Sequence, residues 1–222
     1  MRPYVGVDPT FLASGVSADE RARAEAILAR AEALSEKKEY DAAIEEFSHA
    51  LAPVVATGAP ELHVRALTGE AWARAHRGEV RGALEQLDQA RHIVEGPEFS
   101  DIDRADVLFR IGVCRTLLSS ISTAIALFGE ALALADRSRL PADLLRANIL
   151  SWRARCYRRQ RDHEAAREDV ERALELAEAM QDTKALGEAY FQASVVAERD
   201  GHWVLARTYA ERAKAQYEEL TD

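Results

Sequence analysis

The sequence predicts an all-α protein, an array of about five helix-turn-helix repeats. Three observations predict it. Alanine, leucine, glutamate and arginine dominate while glycine (11) and proline (6) are scarce among 222 residues, a balance that favours helix because these side chains lose little rotamer freedom there and do not interrupt it. A frame of apolar and small residues recurs as Tyr40-x2-Ala43-x3-Phe47-x2-Ala50, Val80-x2-Ala83-x3-Leu87-x2-Ala90, Ile121-x2-Ala124-x3-Phe128-x2-Ala131, His163-x2-Ala166-x3-Val170-x2-Ala173 and Trp203-x2-Ala206-x3-Ala210-x2-Ala213. Its leading alanines are separated by 40, 41, 42 and 40 residues, and spacings of three and four keep each frame on one helical face, where alanine admits a close neighbour. Upstream of each lies a second frame, Ile27-x3-Ala31, Leu67-x3-Ala71, Leu108-x3-Gly112, Leu150-x3-Ala154 and Tyr190-x3-Ser194.

In chain order, residues 1–16 carry Pro3, Gly6, Pro9 and Gly15 among Tyr4, Val5, Val7, Phe11 and Leu12, which predicts an extended N-terminal arm lying on the body or on a partner. Ser17 and Glu20 have capping-box spacing and open the helical part. From 17 to 222 the chain is expected to form one solenoid domain with repeats at about 17–58, 59–97, 98–140, 141–181 and 182–222. Gly78 and Gly201 mark two of the turns inside repeats, with Lys38, Ser119 and Arg161 at the equivalent positions of the others. Gly58-Ala-Pro60, Gly96-Pro97, Leu140-Pro141 and Gln181-Asp182 separate the repeats.

Composition narrows the function. A net charge of −9 argues against direct binding of nucleic acid, which needs a broad basic excess. Two cysteines, Cys114 and Cys156, make no disulfide framework, and they stand 42 residues apart at one register position, as packing residues do. No apolar run approaches a membrane span and the N-terminus lacks the regions of a signal peptide, so a cytoplasmic location is expected. The six histidines form no metal motif, and the glycine-rich phosphate loops and the nucleophile elbow are absent. Neither an enzyme nor a cofactor or metal is expected.

The paired frames resemble the tetratricopeptide (TPR) repeat family, in which a large and then a small residue in the first helix is followed by Ala-x3-Phe in the second. The period is 40 to 42 rather than 34, and the family's first-helix tryptophan and closing proline are missing. The resemblance implies a right-handed superhelix whose first helices line a concave groove that binds a protein or peptide. Carried over by register, the groove positions are Glu25, Leu28, Glu32, Ser35 and Glu36; Arg65, Thr68, Trp72, Ala75 and His76; Asp106, Phe109, Val113, Thr116 and Leu117; Asn148, Ser151, Arg155, Arg158 and Arg159; and Glu188, Phe191, Val195, Glu198 and Arg199. The wording of residues 108–114, 151–160 and 203–220 is also similar to TPR regions that follow a helix-turn-helix domain in bacterial transcription regulators. No such domain is present in this sequence, which implies a shortened or stand-alone relative.

The middle three repeats set Arg65, Arg155, Arg158 and Arg159 against Asp106 in this groove, a local +3 by 4 − 1 in an acidic chain. Guanidinium groups bind carboxylate or phosphate in a bidentate way, so an acidic peptide, a carboxyl terminus or a phosphorylated ligand would suit it. His76 adds charge only when protonated. Trp72, Phe109 and Phe191 are the apolar anchors, and Asn148, the only asparagine, can hold a ligand amide by donor and acceptor together. Solvated surface charge with weak ion pairing is the competing reading. Two function classes stay open: a protein- or peptide-binding scaffold, and the sensory, dimerising part of a transcription regulator that takes a peptide or small acidic ligand. Trp203 and Tyr40 share a register expected to pack, Trp152 is expected between repeats, and homodimerisation through an end of the array is a further expectation.

Overall fold

A computed structural model describes residues 18–220; the N-terminal arm and the Ser17 cap lie outside them. The chain forms α1 (Ala18–Glu36), α2 (Tyr40–Ala56), α3 (Pro60–Arg77), α4 (Val80–Ile93), α5 (Asp101–Leu117), α6 (Ile121–Arg137), α7 (Asp143–Gln160), α8 (His163–Met180), α9 (Thr183–Arg199) and α10 (Trp203–Glu219). Among the described residues there is no strand. The helices pack as five consecutive antiparallel pairs, and the chain divides between Ile93 and Val94 into two compact units, two pairs in the first and three in the second.

The alanine frame works as its spacing requires. Ala43, Phe47 and Ala50 of α2 are fully buried, as are Ala124, Phe128 and Ala131 of α6. Small residues on the facing helix make room for the large ones: a β-carbon placed on Gly112 would stand 2.6 Å from Phe128 Cε1, far inside van der Waals contact. The frame relaxes in α10, where Ala206 and Ala213 are buried and Ala210 is exposed. Trp203, expected to pack, is instead 66% exposed, next to Val204 at 84%. The physical reason lies in the shared register. Tyr40 stacks on His76 of the next repeat's first helix, with ring centroids 5.3 Å apart, whereas α10 has no following helix among the described residues to receive Trp203.

The five turns inside the repeats have one backbone solution. Lys38, Gly78, Ser119, Arg161 and Gly201 all take positive φ, between 62° and 99°. In each, that residue's N–H donates to the carbonyl three residues back and the next residue's N–H to the carbonyl five residues before it, as in Lys38 N–H to Ser35 O with Glu39 N–H to Leu34 O, and Arg161 N–H to Arg158 O with Asp162 N–H to Tyr157 O. This Schellman closure satisfies the last carbonyls of the first helix and reverses the chain in a minimum of residues. Between repeats the devices differ. Thr57 Oγ1 donates to Val54 O and accepts from Ala59 N–H before Pro60 opens α3, Ser100 and Asp103 form a capping box on α5, and Asp182 caps α9 by accepting from Ala185 N–H at 2.8 Å.

Candidate functional site

The helix α7 holds the residues that set this chain apart. Its positions 151, 155 and 158 fall on one face at spacings of four and three, and α7 packs against both α8 and α9. Ser151 is buried at the start of that face, Arg158 is half-buried, and Arg155 is exposed at its edge. From α9, Phe191 is 47% exposed and Arg199 is exposed, while Gln192 between them is 1% exposed.

Burial separates the arginines. Eight are half-buried: Arg65, Arg74, Arg104, Arg110, Arg115, Arg146, Arg153 and Arg158. Six of them reach a carboxylate, namely Arg65 on Glu32, Arg74 on Glu70, Arg104 on Asp101, Arg110 on Asp106, Arg146 on Asp136 and Asp143, and Arg153 on Asp169. A desolvated guanidinium needs such a partner, because burial disfavours an uncompensated charge. Arg115 and Arg158 have none among the described residues, and the Nε of each is buried with no hydrogen-bond partner. Arg158 Nη2 donates instead to a neutral amide oxygen, Gln192 Oε1, at 2.8 Å. Burial lowers the affinity of Arg158 for its proton, and the nearby Arg155 and Arg199 charges lower it further against the opposing pull of Glu188. The α7–α9 face therefore gathers three cations, Arg155, Arg158 and Arg199, with the Glu188 carboxylate near Arg158, and Phe191 of α9 is exposed.

The other sequence-predicted residues are distributed elsewhere. Arg159 is exposed, but its guanidinium donates to Thr116 O and Ser119 Oγ, both at 3.1 Å, so it caps the end of α5 and is not aligned with Arg155 and Arg158. Phe109 is only 6% exposed, with its ring centroid 6.0 Å from that of Phe128; it packs inside the third repeat and offers little surface to a ligand. Asn148 is half-buried on α7. In the first unit, Arg65 donates Nε to Glu32 Oε1 at 2.5 Å and a second hydrogen bond to Glu32 Oε2, which neutralises it. There Trp72 and His76 lie 4.3 Å apart in a tilted ring contact, and His76 Nδ1 is 2.9 Å from Trp72 O. Asp106 is matched by Arg110 at 2.7 Å. The local +3 of the sequence is thus regrouped: Arg65 and Asp106 are each paired locally, Arg159 caps a helix, and Arg199 from the fifth repeat joins Arg155 and Arg158.

The remaining arginine of that stretch, Arg153, makes a bidentate pair with Asp169 of α8, both bonds at 2.7 Å, and lies 5.7 Å from the Tyr157 ring centroid. Its neighbour Trp152 is half-buried and takes Arg155 over its ring at 5.1 Å. Cys114 and Cys156 are buried. Burial pushes the Cys114 thiol up to about 11 and raises that of Cys156, whose Sγ is 3.2 Å from Thr116 Oγ1. Neither is a ready nucleophile, since the thiolate is the reactive form. Among the described residues no group of three His, Cys, Asp or Glu side chains is placed to hold a metal ion, and no helix is long and apolar enough to cross a membrane.

The fold and its turns define an array of tetratricopeptide-like helix pairs. Residues 147–179, spanning most of α7 and α8, match the family model of the tetratricopeptide repeat. No curated protein matches the chain by sequence. Among solved structures, the chain is similar to BtubC (BKLC) from P. vanneervenii, with a TM-score of 0.73 and 18% identity over 96% of this chain and 86% of that one. It is similar to aspartyl phosphate phosphatase F from Bacillus subtilis, with a TM-score of 0.74 and 17% identity over 96% of this chain and 55% of that one. It is also similar to Bacillus thuringiensis PlcR, solved in complex with the peptide PapR7 and DNA, with a TM-score of 0.74 and 13% identity over 96% of this chain and 79% of that one. At these identities the likeness is one of fold.

Proposed function

We propose that the chain is a non-enzymatic protein- or peptide-binding module, and that the first-helix face formed by α7 and α9 takes an acidic segment of its partner. One observation carries the reading: Arg158 is half-buried with no carboxylate, while Arg155 and Arg199 add like charge beside it. Surface arginines without partners are ordinary, but a desolvated one costs free energy that an incoming anion offsets. Phe191, exposed on the same helix as Arg199, supplies an apolar contact on α9, and aromatic residues with arginine are common where binding energy is concentrated. A second reading is supported by the fold likeness to PlcR, which was solved with a peptide and DNA: the module would be the ligand-sensing part of a transcription regulator, with DNA contacted by another segment.

The test is charge reversal. Arg155→Glu with Arg158→Glu, compared with Arg81→Glu and Arg172→Glu on second helices, is used as bait against extract of the source organism. Partners retained by the wild type and the second-helix variants are expected to be lost from the double variant at unchanged helicity. Equal capture by the wild type, the double variant and both second-helix variants removes the α7–α9 face from consideration.

A further inference from the structure

Gln192 is an odd residue to find at 1% exposure, because a buried primary amide must satisfy both donor and acceptor. It does so by linking two charged side chains of opposite sign. Its Oε1 accepts from Arg158 Nη2 at 2.8 Å, and its Nε2 donates to Glu188 Oε1 at 2.7 Å. Glu188 in turn accepts from Tyr217 Oη of α10 at 3.3 Å. The amide therefore stands between a cation and an anion, whereas six other half-buried arginines pair with carboxylates directly.

We propose that Gln192 is the positioning residue of the α7–α9 face: by holding Arg158 through a neutral acceptor and keeping Glu188 one amide away, it leaves that guanidinium in place without a direct carboxylate partner, ready for a carboxylate of an acidic peptide, with the exposed Phe191 of α9 for an apolar side chain of the same peptide. This rests on the acidic-segment reading above. A carboxylate at position 192 would form a charge-assisted bond with Arg158 and compete with the ligand for it. Position 192 thus decides whether the site is open, while the formal charge of the region need not change.

The experiment exploits that distinction. The charge-conserving exchange Glu188→Gln with Gln192→Glu moves one carboxylate by a helical turn, onto Arg158. Wild type, the exchange variant and Arg155→Glu with Arg158→Glu are titrated into a fluorescein-labelled peptide of glutamates around one phenylalanine, by fluorescence anisotropy at low salt. The wild type is expected to bind, the reversal variant to lose binding, and the exchange variant to bind at least tenfold more weakly with a shallower salt dependence. A merely structural role for Gln192 would move the melting temperature and leave affinity and salt dependence alone. Wild-type affinity in a folded exchange variant overturns the role of Gln192 while the acidic-segment reading stands. Failure of the wild type to bind, or undiminished binding by the reversal variant, overturns both. If the exchange variant does not fold, Gln192→Met serves: it keeps the volume and removes the acceptor, with affinity expected to fall severalfold and an unchanged affinity overturning the proposal.

Discussion

Replacing Asp169 by alanine tests the energetic account of the arginine-rich helix. Arg153 and Asp169 join α7 to α8 by two parallel hydrogen bonds of 2.7 Å, with side chains 16% and 5% exposed. At that depth, removing one partner strands the other charge, a loss of about 3–5 kcal/mol for a buried pair against about 0–1 kcal/mol for a surface pair. Arg153→Leu should cost at least as much as Asp169→Ala, because it strands Asp169, the more deeply buried of the two. Arg153→Leu with Asp169→Leu removes both charges and strands neither, so it should fall close to the wild type. Urea denaturation followed by far-UV circular dichroism gives the three differences, and the single Asp169→Leu closes the double-mutant cycle that gives the coupling. A loss below about 1 kcal/mol for Asp169→Ala would mean that the pair behaves as solvated charge, and the separation of arginines by burial would lose its basis.

Two further outcomes follow from the packing. Gly112→Ala should destabilise by about 1–3 kcal/mol, since its β-carbon would meet the fully buried Phe128 ring at 2.6 Å; combining it with Phe128→Leu should recover part of the loss in the same urea assay. Stability should also fall on the alkaline side through Cys114. Its thiol is pushed by burial to about 11 from the ordinary 9.0, so the folded state favours the neutral form; that contribution is whole below pH 9 and disappears as pH rises toward 11, about 2–3 kcal/mol in all. Urea midpoints at neutral pH and at the upper end of that window should converge for Cys114→Ala relative to wild type, and an equal drop in both proteins would refute the assignment.

Much of the fold is legible in the sequence because it rests on local periodicity. The alanine frames mark the buried faces of the second helices, and the register of Gly78 and Gly201 leads to the three non-glycine turn residues, whose left-handed backbone glycine would adopt at no steric cost. The capping box at Ser100 and Asp103 has a sequence signal too, a serine three residues before an aspartate, in place of the glutamate or glutamine of the usual pattern. The site is less legible. Register alone puts Arg155, Arg158, Arg159 and Phe109 on a groove; it does not say that Arg159 bends toward the end of α5 or that Phe109 turns in against Phe128.

By itself, then, the sequence determined the all-α class, the helix pairing and the faces that pack, since these follow from spacing along one chain segment. Only the tertiary structure decided which charges are compensated. Glu32, Asp169 and Gln192 lie 33, 16 and 34 positions from the arginines they meet, and no local pattern encodes such pairings. The helix spanning Leu150 to Gln160 thereby resolves into distinct roles: Arg153 locked to a carboxylate, Arg159 capping a neighbour, Arg155 over Trp152, and Arg158 held by an amide.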